Sequence, residues 1–176
     1  MQQTDMGCEN TKVASVVEEV EEEPEEGDSP FTEVQIDMIR STWPVVSRNM
    51  ESIGTSVFLR IFEMAPYIKD MFPFSHAMKF MEVVDLLVRN VESLETDVDM
   101  SLLSLGAKHA TFKDFGTEYF TIYSNALLSV WEFTLGEEYS PEIHDSWQAV
   151  FEYIRLALTH GYESVVHFNK YGTNGE

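Results

Sequence analysis

Residues 102–115 read Leu102-Leu103-Ser104-Leu105-Gly106-Ala107-Lys108-His109-Ala110-Thr111-Phe112-Lys113-Asp114-Phe115, and this stretch decides the fold. A leucine-rich run, Leu102-Leu103-x-Leu105-Gly106, leads to an imidazole, and two phenylalanines follow it. The run reads as the end of an apolar helix that presents His109 to aromatic surroundings. Gly106 marks an expected interruption in a helix from Met100 to His109.

Helical signals continue on both sides. Upstream, Thr32 with Gln35 matches a capping box, and Phe31 with Ile36 a hydrophobic staple. Ile36, Ile39, Trp43, Val46 and Met50 then recur every three or four residues as one buried stripe. Pro44 falls inside it and predicts a kink. Val57, Phe58, Ile61 and Phe62 form the next stripe, ending near Ala65-Pro66, where Pro66 opens a short turn. His76 to Leu94 reads as one long helix, with Phe80, Val83, Val84, Leu87, Val88 and Val91 on its apolar face. Thr117 to Thr134 is strongly apolar. Ser140-Pro141 supplies an N-cap and a first-turn proline for a helix running to Gly161. Alternating strand patterns and internal repeats are absent. The expectation is an all-α domain of six to eight helices over residues 31–162, with a flexible tail over 163–176.

The chain has 176 residues, 44% hydrophobic and 12% aromatic, which supports one domain with a real core. Its formal charge of −20 excludes a nucleic-acid binder, which needs a basic surface. It also excludes purely electrostatic attachment to anionic lipid. One cysteine gives no internal disulfide and fits a reducing compartment. No apolar run is long enough to span a membrane, and no secretory leader is visible. The acidity is uneven. Residues 1–30 hold ten acids against Lys12 alone, a net −9 that leaves −11 for the rest. A Glu-rich run broken by Pro24, Gly27 and Pro30, with no aromatic residue, reads as a disordered arm.

Phosphate-cradling loops, dinucleotide fingerprints, HExxH and paired cysteines are all missing. Of five histidines, a helical one is in general a solvated or hydrogen-bonded side chain. His109 and His76 differ. His76 begins an apolar helix just after Phe72-Pro73-Phe74. Two imidazoles on two helices, each amid apolar residues, suit an apolar slot for haem, whose iron takes axial imidazole.

Residues 31–162 resemble a globin. Trp43 stands where the first globin helix carries its tryptophan. Arg60-Ile61-Phe62, then Pro66 and Phe72, match the spacing from the second helix to the haem-packing phenylalanine. Leu105 to His109 resembles the proximal segment, and Tyr119–Trp131 and Trp147–Leu158 fit the last two long helices. The His76–Leu94 stretch resembles the distal helix of neuroglobin-like and globin X-like proteins. The resemblance implies haem b (iron protoporphyrin IX), with His109 as proximal iron ligand and His76 as distal histidine. His76 either donates a hydrogen bond to bound dioxygen or binds iron itself; the resemblance favours the second, a hexacoordinate haem. Phe72 packs on the porphyrin. Phe58, Val83, Leu105, Phe115 and Phe120 line the pocket, and Lys79 or Lys113 reaches the propionates. Implied partners are oxygen, nitric oxide and carbon monoxide, with electron transfer in redox protection or signalling. The alternatives are a haem enzyme, reducing nitrite or dioxygenating nitric oxide with an external reductase, and a haem-poor globin-fold interaction module.

Two features depart from that pattern. Only four residue steps separate Phe72 from His76, where globins have a longer connection; four extended steps reach about 13 to 14 Å. Either His76 reaches the distal position beside an exposed haem edge, or Lys79, Phe80 or Val83 faces the iron instead, or the chain binds haem poorly. Second, Met6-Gly7-Cys8-Glu9-Asn10-Thr11 matches an acylation pattern. Myristate on Gly7 and palmitate on Cys8 of a Met6-initiated chain supply the two signals of stable anchoring. The expected location is cytoplasmic, at the inner face of the plasma membrane when acylated. The oligomeric state is left open.

Overall fold

The computed structural model describes residues 29–69, 77–92 and 96–171. They contain six α-helices: α1 Glu33–Ser47, α2 Met50–Met64, α3 Ala77–Arg89, α4 Thr96–His109, α5 Glu118–Leu135 and α6 Pro141–Tyr171. Single 3-10 turns at Pro66–Ile68 and Gly136–Glu138 follow α2 and α5.

The helix ends follow the capping chemistry of the sequence. The Gln35 amide donates to the Thr32 hydroxyl at 3.3 Å, and the Thr32 amide donates to the Gln35 side chain at 2.9 Å. Phe31 buries beside them, edge-on to Tyr153 at 5.8 Å. Asn49 caps α2 by accepting from the Ser52 amide at 3.2 Å. Gly136 ends α5 at φ +55°, a left-handed conformation that glycine adopts freely. Ser140 accepts from the Ile143 amide at 3.3 Å and caps α6. Pro44 lies inside α1, which ends one turn later.

Three tryptophans organise the core. Trp43 of α1 stacks on Trp131 of α5 at 6.4 Å, and Trp147 of α6 meets Trp131 at 5.4 Å. Phe151 closes the cluster at 5.2 Å from Trp131. Burial of each ring contributes on the order of 2 kcal/mol or more. Two indole N–H groups stay satisfied: Trp43 donates to Asp85 at 3.1 Å and Trp147 to Thr42 at 2.9 Å. Around this centre α6 packs on α1, α4 and α5, while α2 packs on α3 and α5; the α4–α6 interface is the most extensive.

At that interface the structure corrects the sequence reading. Gly106 does not interrupt α4, and Gly161 does not end α6. Each instead sits against the backbone of the other helix. A Cβ on Gly106 would lie 2.1 Å from the Leu158 carbonyl oxygen, and one on Gly161 2.0 Å from that of Leu103. The glycines are there for close approach. The helix therefore runs on through residues 163–171, which were expected to be tail. Its last turns are held locally, by His167 stacked on Tyr171 at 5.4 Å and the Lys170 ammonium 5.3 Å from the Tyr171 ring centroid. Likewise α4 begins at Thr96, a turn before the expected Met100. Of the expected arm over 1–30, residues 1–28 lie outside the described residues, as do residues 172–176.

Candidate functional site

Between α2, α3, α4, α5 and α6 lies a cavity of about 630 Å³, well within the size range of small-molecule and cofactor pockets. His109 closes α4 and enters it. Its Nδ1 lies 2.7 Å from the Leu105 carbonyl oxygen, one turn back. A carbonyl only accepts, so Nδ1 donates the proton, and in the neutral ring Nε2 then carries the lone pair. That is the tautomer and orientation of a metal-binding imidazole.

The chain after α4 folds to enclose this ring. The Phe112 amide donates to the His109 carbonyl at 3.1 Å, and Asp114 turns the chain at φ 61°, which aspartate tolerates. Phe112, Phe115 and Phe120 then stand 5.6, 4.9 and 5.3 Å from the imidazole centroid. The Tyr162 hydroxyl pins the corner by donating to the Phe115 carbonyl at 2.6 Å.

On the other side Tyr123 of α5 packs against Phe58 at 6.1 Å and Phe80 at 4.3 Å. Burial drives its phenol pKa well above 10, so it stays neutral and protonated. At the rim, Arg155 holds Glu152 through two contacts of 2.7 and 2.5 Å. Hydrogen bonding to that guanidinium, offset by a little desolvation, sets Glu152 below the ordinary carboxylate range.

Phe58, Val83, Leu105, His109, Phe115 and Phe120 all line this one cavity. Lys79 lines it too, whereas Lys113 points away, its side chain 92% exposed and 3.9 Å from Asp114. Phe72, His76, Gly7 and Cys8 lie outside the described residues. Sequence reasoning missed Tyr123, Lys108 and Arg155. Each is a helical step from a predicted lining or core residue (Phe120, Leu105, Leu158), and that spacing was the available signal.

The donor set fits haem. Among the described residues no three His, Cys, Asp or Glu side chains converge as a metal site. An imidazole at an apolar cavity of this size suits a metal that brings its other donors with it, as porphyrin iron does.

Comparison with known proteins agrees with this geometry. The globin family profile matches residues 55–158. The neuroglobin of Danio rerio is 27% identical over 142 residues, covering 71% of this chain and 88% of its own. The cytoglobin-2 of the same fish is 26% identical over 165 residues, 84% and 92% of the two chains. An anaerobic nitrite reductase of Oryza sativa subsp. japonica is 27% identical over 145 residues, 73% and 93%. Among solved structures, a hexacoordinated haem protein from an anhydrobiotic tardigrade superposes with a TM-score of 0.69 at 21% identity, covering 76% of this chain and 96% of its own.

Proposed function

The chain belongs to the globin family, and on that premise we propose that it holds haem b in the cavity between α2 and α6, with His109 as the iron ligand. The observation that carries this is the His109 ring, fixed by the Leu105 carbonyl at 2.7 Å and set among three phenylalanines. When bound, haem supplies an iron that takes diatomic gases or exchanges single electrons. The chain's own residues do the rest. The Nδ1–H bond to Leu105 orients the imidazole and raises its basicity. Leu105, Phe115 and Phe120 exclude water beside His109, and Phe58 and Val83 narrow the opposite side. Lys79, at the cavity rim, would pair its ammonium with a propionate. Phe72 would pack against the bound haem, and His76 would supply a second imidazole to its iron.

The function is gas binding or electron transfer in redox protection or signalling, in the manner of globin X and neuroglobin-like chains. No described helix is long and apolar enough to cross a membrane. Attachment to the inner face of the plasma membrane rests on acylation of Gly7 and Cys8 in a Met6-initiated form. Mass spectrometry of the native protein tests it: an unmodified terminus at Met1 or Gln2 rejects it.

Absorption spectra of the purified chain, ferric and dithionite-reduced, test the haem assignment. A sharp pair of bands in the reduced form, lost in His76→Leu, supports bis-histidine iron. A single broad band in the wild type rejects His76 as ligand. No haem absorbance rejects the whole reading and favours an interaction module. Nitrite reduction with an external electron donor is the second reading, favoured by the similarity to the rice nitrite reductase. Turnover no faster than free haem rejects it.

A further inference from the structure

The cavity has two chemically distinct walls. His109 meets Phe112, Phe115 and Phe120, whereas Tyr123 meets Phe58 and Phe80. Among these ring contacts the two sets have no described residue in common. Phe120 and Tyr123 lie three apart on α5, so one turn of helix carries the lining from one wall to the other.

Most polar groups that line the cavity are either hydrogen-bonded or exposed at its rim. The Ser124 hydroxyl donates to the Phe120 carbonyl at 3.1 Å, and Arg155 is bound to Glu152. Tyr119 points outward, its hydroxyl 3.5 Å from the Asp114 carbonyl. Lys79, Glu82 and Lys108 are exposed at the rim. The Tyr123 phenol differs from all of these. Its ring is half-buried in the cavity wall, and its hydroxyl has no hydrogen-bond partner among the described residues. A hydroxyl that lines a cavity without a protein partner can donate to a molecule held there. Its ring is also fixed, edge-on to Phe58 at 86° and tilted on Phe80 at 60°, so the hydroxyl is preorganised.

We infer, resting on the haem reading above, that the Tyr123 hydroxyl is the hydrogen-bond donor to a polar diatomic ligand held on the side of the cavity away from His109. Dioxygen, on which negative charge accumulates when iron binds it, gains most from such a donor; carbon monoxide gains little. Tyr123 thus sets the preference of the cavity between these gases.

The test compares His76→Leu with His76→Leu/Tyr123→Phe, both loaded with haem, so that no second imidazole competes. Phenylalanine keeps both ring contacts and removes only the hydroxyl. The expected result is a carbon monoxide stretch moved to higher wavenumber in infrared spectra. Oxygen should also leave about tenfold faster, the rate equivalent of one neutral hydrogen bond. Tyr123→Leu in the same background should shift the stretch in the same direction. An unchanged stretch and unchanged oxygen release, with the haem absorbance intact, overturn this inference and leave the haem reading standing. A wild-type chain that takes up no haem overturns both.

Discussion

The crossing of α4 and α6 gives the sharpest prediction. In Gly106→Ala the new Cβ meets the Leu158 carbonyl oxygen at 2.1 Å, where ordinary contact begins at 3.4 Å. The helices must part by about 1.3 Å, because the obstacle is backbone and cannot rotate aside. Overpacking of this kind costs about 3 kcal/mol. Alanine returns about 1 kcal/mol through its better helix propensity. The net loss is about 2 kcal/mol, equivalent to about 4 to 8 °C in a chain of this size. Gly161→Ala, facing Leu103 at 2.0 Å, should behave alike. Since parting the helices for one Cβ makes room for the other, the double variant should lose clearly less than the two single losses together. The assay is thermal melting followed by circular dichroism, with Ser104→Ala, an exposed site on α4, as control for propensity alone. A Gly106→Ala protein that melts with or above the wild type would refute the reasoning, as would full additivity in the double variant.

Other expectations follow from single contacts. His109→Gly should abolish the haem spectrum of the wild type, and free imidazole added to the solution should restore it; restoration without imidazole would show that another residue holds the iron. Tyr162→Phe removes the 2.6 Å bond to the Phe115 carbonyl and should cost about 1 kcal/mol in denaturant unfolding. Thr32→Ala breaks the capping box and should also cost about 1 kcal/mol, whereas Arg60→Ala, in an exposed pair with Glu63, should change stability by less than about 0.5 kcal/mol. Tyr139 is raised from 10.0 to about 12, by burial first and then by Glu132 and Asp145. The folded state therefore holds that proton more tightly than the unfolded one, so its contribution is complete below pH 10 and is lost as pH rises towards 12. Melting temperatures measured across that interval should fall, and less steeply in Tyr139→Phe; an equal fall in both would reject the assignment.

Much of this fold could be read from the chain, because its information is local. Thr32 with Gln35, and Ser140 with Pro141, act within one helical turn, and their hydrogen bonds form as the residue types dictate. His109 could be singled out because its aromatic neighbours are close in sequence: Phe112, Phe115 and Phe120 all follow within eleven positions. What could not be read depends on distant neighbours. A glycine in a helical pattern signals a weak point from either side of the sequence, and only the Leu158 and Leu103 carbonyls, more than fifty positions away, turn Gly106 and Gly161 into contacts. The first turn of α4, Thr96-Asp97-Val98-Asp99, offers too few apolar residues to register as a helix. Yet Val98 buries, and Asp99 accepts from the Tyr153 hydroxyl of α6. Tyr123 lies in the strongly apolar stretch from Thr117 to Thr134, and nothing in its neighbours says that its hydroxyl lines a cavity.

The two walls of that cavity rest on different packing, and this bears on how the site is held. The main packing partner of α4 is α6, so the position of the His109 ring depends chiefly on how closely two glycines let those helices approach. Tyr123 is placed by α5 against α2, and Phe80 by α3 against α2. A disturbance at the glycine crossing should therefore move the imidazole and spare the phenol, while a change at Phe58 should do the reverse. Haem retention and the carbon monoxide stretch read these walls separately: Gly161→Ala should weaken the first with little effect on the second, and Phe58→Leu should shift the second with little effect on the first. If both readouts moved together in both variants, the cavity would be one mechanical unit and the division into two independently held walls would be wrong.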